Sequence, residues 1–147
     1  MPGNLNKQDQ FVDAAFRDDI PCLTKLLAAG ADLDREGTNW NPLHAAIENM
    51  KEEAMRFLLR AGANPNRACW GATPLHHAID TEIDCVNQHL QRTPRPNEWP
   101  NPCITRLLLE HGADPFICDS EGETPYDFAI RRKHFHAADL LRVWSRA

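Results

Sequence analysis

The sequence Thr73-Pro74-Leu75-His76-His77-Ala78 has two related copies in this 147-residue chain. Asn41-Pro42-Leu43-His44-Ala45-Ala46 precedes it as a close copy, and Thr124-Pro125-Tyr126-Asp127-Phe128-Ala129 follows it as a weaker one. A Gly-Ala pair lies ahead of each copy, and the first two of these glycines are 32 residues apart, as are Pro42 and Pro74. The pairs are Gly30-Ala31, Gly62-Ala63 and Gly112-Ala113. The chain is therefore built from units that repeat along the sequence.

Each unit carries the signals that begin and end helices. Thr or Asn followed by Pro is typical of a helix N-terminus, because the side-chain oxygen accepts from free amides and proline presets φ. Glycine after an apolar helical pattern, as in Leu59-Arg60-Ala61-Gly62, is typical of a left-handed C-cap. Leucines at helical spacing, such as Leu23, Leu26 and Leu27, predict faces that pack on neighbouring helices. The pattern predicts a pair of helices in each unit.

A repeated unit of this length with Thr-Pro-Leu-His-x-Ala resembles the ankyrin repeat. The resemblance implies an all-α solenoid, with four helix-pair repeats joined by β-hairpin-like loops in a single domain, 1–147. The predicted repeats are about 5–38, 39–68, 69–118 and 119–147. The first repeat lacks the Thr-Pro-Leu-His motif, as expected of a terminal repeat with one face in water.

The third repeat is 18 residues longer than the second, and the excess, about 84–101, falls between its two helices. We expect 85–90 to extend the inner helix by one or two turns. Pro94, Pro96 and Pro100 predict an extended loop after it. Long additional loops in compact domains are usually functional. This insertion is therefore a candidate contact surface.

Composition limits the classes of function. The net charge of −5 argues against nucleic acid and anionic membranes as partners, and it is compatible with a basic protein partner. The chain contains no apolar run of membrane-spanning length, and its N-terminus lacks a secretory signal pattern, so we expect a cytoplasmic protein. Five cysteines, an odd number without a C-x-x-C pair, predict reduced thiols rather than a disulfide framework.

We expect no catalytic, cofactor or metal site. The nucleophile-elbow, P-loop, dinucleotide-binding and zinc-protease motifs are missing from the sequence. The resemblance implies that His44 and His76 are structural and bond to loop backbone and to the capping residue. The acidic stretches, Glu48 with Glu52 and Glu53, and 80–84, are interpreted as solvated helix faces.

The tryptophans suggest a binding surface. Trp40 and Trp70 fall in the predicted loop tips and Trp99 in the insertion, where core packing does not explain a large ring, and aromatic and Arg residues dominate binding hot spots. The alternative is that Trp40 and Trp70 pack on each other to stiffen the tips. The family resemblance implies contacts through the tips and the exposed face of the inner helices. The predicted partner-binding residues are Arg35, Trp40, Glu48, Asn49, Arg67, Trp70, Asp80, Thr81, Trp99 and Arg131, with Arg17 and Arg132 as further inner-helix positions.

The sequence therefore predicts a non-enzymatic, monomeric module that binds, and inhibits or sequesters, a single protein partner. Two alternatives stay open. The insertion could complete a metal or hydrolase site with Asp80, Asp84, Cys85 and His89, to which Cys103 and His111 could come close. It could also mediate self-association of a structural assembly protein.

Overall fold

A computed structural model describes residues 5–90, 95, 98 and 100–146, apart from the side chains of 89 and 90. The described residues form eight helices, which follow one another in four pairs. The helices are α1 (Lys7–Arg17), α2 (Ile20–Ala28), α3 (Pro42–Glu48), α4 (Glu52–Ala61), α5 (Pro74–Leu90), α6 (Cys103–Glu110), α7 (Pro125–Arg131) and α8 (Phe135–Trp144). The predicted all-α solenoid is confirmed. The bounds of the four repeats and the 18-residue insertion stay predictions.

The inner helices α1, α3, α5 and α7 pack in a row, and each also packs on the outer helix of its own pair. Small side chains, including Ala14, Ala45, Ala46 and Ala78, are fully or almost fully buried where the inner helices meet. Leu58 and Leu108 are fully buried on the outer helices. Burying a side chain of this size contributes about 1.5–3 kcal/mol, so stacking stabilises pairs that could not fold alone. No helix in the described part of the chain combines the length and apolar character needed to cross a bilayer.

The predicted N-caps are present. Asn41 Oδ1 accepts from the His44 amide at 2.8 Å, and Thr124 Oγ1 accepts from the Asp127 amide at 3.2 Å. The motif histidines have the expected structural role. His44 Nε2 donates to the Arg67 carbonyl at 3.0 Å, and His76 contacts Thr73 Oγ1 at 2.6 Å.

Three of the inner helices stop at a residue in the left-handed region, and the fourth does not. Asp18, Met50 and Lys133 have φ of 63°, 50° and 62° at the ends of α1, α3 and α7. Glu82 stands at the corresponding place of the third pair but lies within α5. Helix α5 continues through it to Leu90, which confirms the predicted extension over 85–90.

Glu82 is buried, contrary to the expectation from the sequence. The stretch 80–84 was predicted to be a solvated face, but Glu82 is only 1% exposed. Its two oxygens accept from the Thr105 amide at 2.8 Å, from Thr105 Oγ1 at 3.0 Å and from His134 Nε2 at 2.8 Å. Glu82 thus caps the N-terminus of α6 and links it to the start of α8. These hydrogen bonds offset the cost of burying its carboxylate.

The loop tips between the pairs are bonded to one another in a row. The tip at Cys69 and Ala72 is closed by two backbone hydrogen bonds of 2.9 and 3.1 Å. Trp70 Nε1 donates to the Asn39 carbonyl of the preceding tip at 2.6 Å, and the Ser120 amide of the following tip donates to the Gly71 carbonyl at 2.8 Å. These bonds give the tips a common orientation.

Candidate functional site

A groove of about 520 Å³ runs along the row of inner helices beneath the loop tips. Helix α3 and the long helix α5 form its floor and one wall, and the tips close it on the other side. The following residues line it: Trp40, His44, Glu48, Asn49, Met50, Cys69, Trp70, Ala72, His76, His77, Asp80, Thr81, Asp84, Cys85, Gln88 and Phe128. The lining therefore combines aromatic rings with carboxylates, and it contains no lysine or arginine among the described residues.

One end of the groove is a stack of three rings. The Trp40 ring lies on His77 with centroids 5.0 Å apart, and His77 lies on His44, also at 5.0 Å. The His44 and His77 Nδ1 atoms are 2.8 Å apart, and His77 Nε2 lies 2.6 Å from Glu48 Oε2. These contacts fix the positions of Trp40 and Glu48 before any partner binds.

His44 is held neutral in this stack. Burial, and secondly the neighbouring His77, lower the pKa of His44 to about 4, against an ordinary value of 6.5. Its Nε2–H donates to the Arg67 carbonyl, so its Nδ1 is the acceptor for His77. His44 is therefore a structural support for the groove and not a proton carrier at neutral pH.

Carboxylates occupy the middle of the groove. Arg132, the C-cap residue that follows α7, forms ion pairs with Asp80 and, at 3.5 Å, with Asp84. Burial and the neighbouring Asp80 raise the pKa of Asp84, while Arg132 opposes the shift. Glu48, which contacts His77, is the third carboxylate of the lining, and among the described residues Arg132 pairs only with Asp80 and Asp84. The carboxylates of the groove therefore outnumber the guanidinium that pairs with them.

Trp70 projects from the tip with 76% of its surface exposed. It has φ of 55° and is followed by Gly71 at 77°, which are the two positive values that a type I′ hairpin turn requires. A bulky residue is rare in this conformation and costs about 1–2 kcal/mol relative to the right-handed region. Core packing therefore does not explain this ring, whose indole N–H bonds to the Asn39 carbonyl of the preceding tip.

The structure brings six of the ten predicted site residues to this groove and places three of the others outside its lining. The six are Trp40, Glu48, Asn49, Trp70, Asp80 and Thr81. Arg35 and Arg67 are exposed in the loops beside it. Arg131 pairs with Glu123 at 2.8 Å and lies 5.0 Å from the Phe128 ring. Trp99 lies outside the described residues.

The expectation that core packing does not explain Trp40 is wrong. Its ring is only partly exposed and packs against the core through the histidine stack, rather than on Trp70. The sequence also missed His77, Asp84 and Gln88 as groove residues. The spacing of 77, 80, 81, 84 and 88 on one predicted helix could have revealed this stripe, because positions three and four apart share a helix face.

The described side chains do not support the metal alternative. No three His, Cys, Asp or Glu side chains in the described ranges converge to hold a metal ion, although the side chain of His89 lies outside them. Burial raises the pKa of the Cys69 and Cys103 thiols, which lowers their nucleophilic character. None of the five cysteines forms a disulfide.

Comparison with known proteins identifies the family. A sequence profile of ankyrin repeats in three copies matches residues 11–98, and a second ankyrin-repeat profile matches residues 100–142. The chain belongs to the ankyrin-repeat family. Ankyrin repeats are protein–protein interaction modules, so the groove lies on a molecule whose class acts by binding other proteins.

Individual relatives match over most of this chain. Rabankyrin-5 of Mus musculus is 31% identical over 91% of the chain, but the match spans only 12% of that protein. The protein YahD of Escherichia coli is 31% identical over 87% of the chain and 75% of its own length. The ARF GTPase-activating protein GIT2 of Mus musculus is 30% identical over 86% of the chain and 15% of its length. The similarity to the two long proteins is confined to a small part of each.

Proposed function

We propose that this protein is a non-enzymatic binding module that recognises a single protein partner through the groove and the loop tips, and thereby sequesters it. The observation that carries the proposal is the exposed Trp70 above an acidic groove. A partner that covers the exposed ring would remove its apolar surface from water, and large aromatic residues dominate binding energy.

The charge of the groove supports a basic partner. Glu48, Asp80 and Asp84 lie together in the lining, and positive groups on a partner would relieve their mutual repulsion. The ring stack supports recognition by a rigid surface, because it holds Trp40 and Glu48 in place in the unbound protein. These two side chains then lose little conformational entropy when a partner binds.

We further propose that the protein works as a monomer in a reducing compartment such as the cytoplasm. Five thiols without a disulfide are compatible with that compartment. Light scattering on purified protein measures the mass directly. A mass near 16.7 kDa supports the monomer, and a dimer mass favours the self-association alternative.

Affinity capture tests the partner proposal. Wild-type protein and the Trp70→Ala variant are immobilised and exposed to a lysate of the source cells, and bound proteins are identified by mass spectrometry. One protein that is captured stoichiometrically by wild type and lost with Trp70→Ala supports the proposal. The matched control is Val143→Ala on the outer helix α8, an apolar residue that is 64% exposed and lies outside the groove lining. Equal capture by wild type and Trp70→Ala would exclude the tip from the site.

A further inference from the structure

The extension of α5 determines the length of the groove. Because Glu82 replaces the left-handed stop, the helix adds Asp84 and Gln88 to the wall that begins at His77. His77 and Gln88 are eleven positions apart in the helix, which corresponds to about 16 Å at 1.5 Å per residue. An extended peptide of about five residues has the same length at roughly 3.3 Å per residue.

Trp70 offers a flat face at the edge of this groove. Its indole nitrogen is held by the Asn39 carbonyl at 2.6 Å, so the ring has a fixed orientation although most of it is exposed. A fixed, exposed indole favours planar cations, and guanidinium groups stack on it more readily than ammonium groups do. The ring therefore selects for the shape of a ligand as well as for its charge.

Two carboxylates line the same groove as this ring. Glu48 contacts His77 through Oε2, and Asp80 pairs with Arg132 through Oδ1, so a ligand would approach the second oxygen of each. The pair between Arg132 and Asp80 also shows that guanidinium geometry fits this wall. Acidic and aromatic groups thus line the same 520 Å³ groove.

We propose that the groove binds an extended segment of the partner, about five residues long, whose arginine side chain stacks on Trp70 and pairs with the carboxylates of Glu48 and Asp80. This inference rests on the proposed function and specifies what the partner presents. A peptide is favoured over a free polyamine because the groove is long enough for a backbone and includes the amide group of Gln88, which can bond to it.

The test uses the pentapeptide acetyl-Gly-Gly-Arg-Gly-Gly-amide and two analogues, in which citrulline or lysine replaces arginine. Each is titrated into ¹⁵N-labelled full-length protein, and the indole N–H signals of the tryptophans are followed by NMR. We expect the arginine peptide to shift the Trp70 and Trp40 signals and to leave Trp144, which lies on α8, unchanged. Citrulline, which keeps the shape but loses the charge, should bind about tenfold more weakly.

Matched variants locate the contact. Trp70→Leu should abolish the response, and Glu48→Gln and Asp80→Asn should each weaken binding by roughly two- to fivefold. Asp139→Asn, an exposed carboxylate on α8, is the control for net charge and should leave the affinity unchanged. Unchanged thermal unfolding of each variant shows that the fold is intact.

Three results would overturn the inference: no shift of the Trp70 signal, equal binding of the citrulline peptide, or equal binding of spermidine. Equal binding of spermidine would show that the groove recognises positive charge alone, without the shape of the guanidinium group. These outcomes are distinct from failure of the proposed function. If the arginine peptide does not bind but capture of a partner still depends on Trp70, only this inference fails. If the peptide binds while partner capture is insensitive to Trp70, the proposed function fails.

Discussion

Replacing Glu82 by Ala should destabilise the protein more than any surface change. The substitution removes the acceptor for the Thr105 amide and for His134 Nε2, both fully buried, and for the Thr105 hydroxyl. The hydroxyl can rotate, whereas the other two donors are fixed. Each buried donor without a partner costs about 1–3 kcal/mol, so we expect a loss of about 4 kcal/mol in the free energy of unfolding. That is a large share of the roughly 5–15 kcal/mol of a typical domain.

The assay is urea denaturation followed by circular dichroism. Glu82→Gln keeps one acceptor oxygen and the side-chain volume, so it should lose only about 1–2 kcal/mol. Asp139→Ala breaks an exposed pair with Arg142 and should change stability by less than about 0.5 kcal/mol. A Glu82→Ala variant within about 1 kcal/mol of wild type would refute the role of Glu82 as the polar centre that joins α6 and α8.

Three further predictions test individual parts of the structure. His44 has a folded pKa of about 4 against 6.5, so the unfolded chain binds the extra proton between these values. The contribution of His44 to the free energy of unfolding is complete above pH 6.5 and falls by about 3 kcal/mol as the pH is lowered to 4. In His44→Gln, the free energy of unfolding measured by urea denaturation should therefore depend less steeply on pH over that range. Lys133→Gly should raise the free energy of unfolding by roughly 0.5–1 kcal/mol, because φ is 62° at Lys133 and glycine adopts that conformation without strain. Glu82→Gly, at the corresponding place in α5, should lower the free energy of unfolding. Two changes of the same sign would contradict the assignment of the helix stops. Thr124→Ala removes the N-cap of α7 and should cost about 1 kcal/mol in the same assay, and no change would show that the cap is dispensable.

The sequence predicted the parts of the fold that depend on local rules. Asn41 and Thr124 cap helices because an oxygen at that position meets free amides three residues on, and this needs no tertiary information. The extension of α5 was predicted because 85–90 continues a helical pattern before the prolines begin. The predicted caps and the extension of α5 therefore agree with the structure.

Features that depend on distant partners were not predictable in this way. Glu82 was interpreted as solvated because acidic runs on helices usually are, and its partner His134 stands 52 residues further along the chain. Trp40 was interpreted as exposed because its loop is, but His77 from the next repeat provides a ring to cover it. Both errors arose where one side chain met another from a different repeat.

Part of the candidate site was predicted because it depends on spacing within single helices rather than on contacts between distant residues. Inner-helix positions such as Glu48 and Asp80 share a face by spacing alone, and stacking of the repeats brings those faces together. What spacing does not reveal is the closing wall, formed by the tips with Trp70. The prediction for Trp99 lies outside the described residues and stays a prediction.

The measurement that tests the central claim most directly is hydrogen–deuterium exchange of the protein with and without its captured partner. The account predicts protection along the exposed face of α3 and α5 and at the tip that carries Trp70, with α2 and α4 on the opposite side unchanged. Protection confined to the outer helices, with the groove exchanging as before, would contradict it.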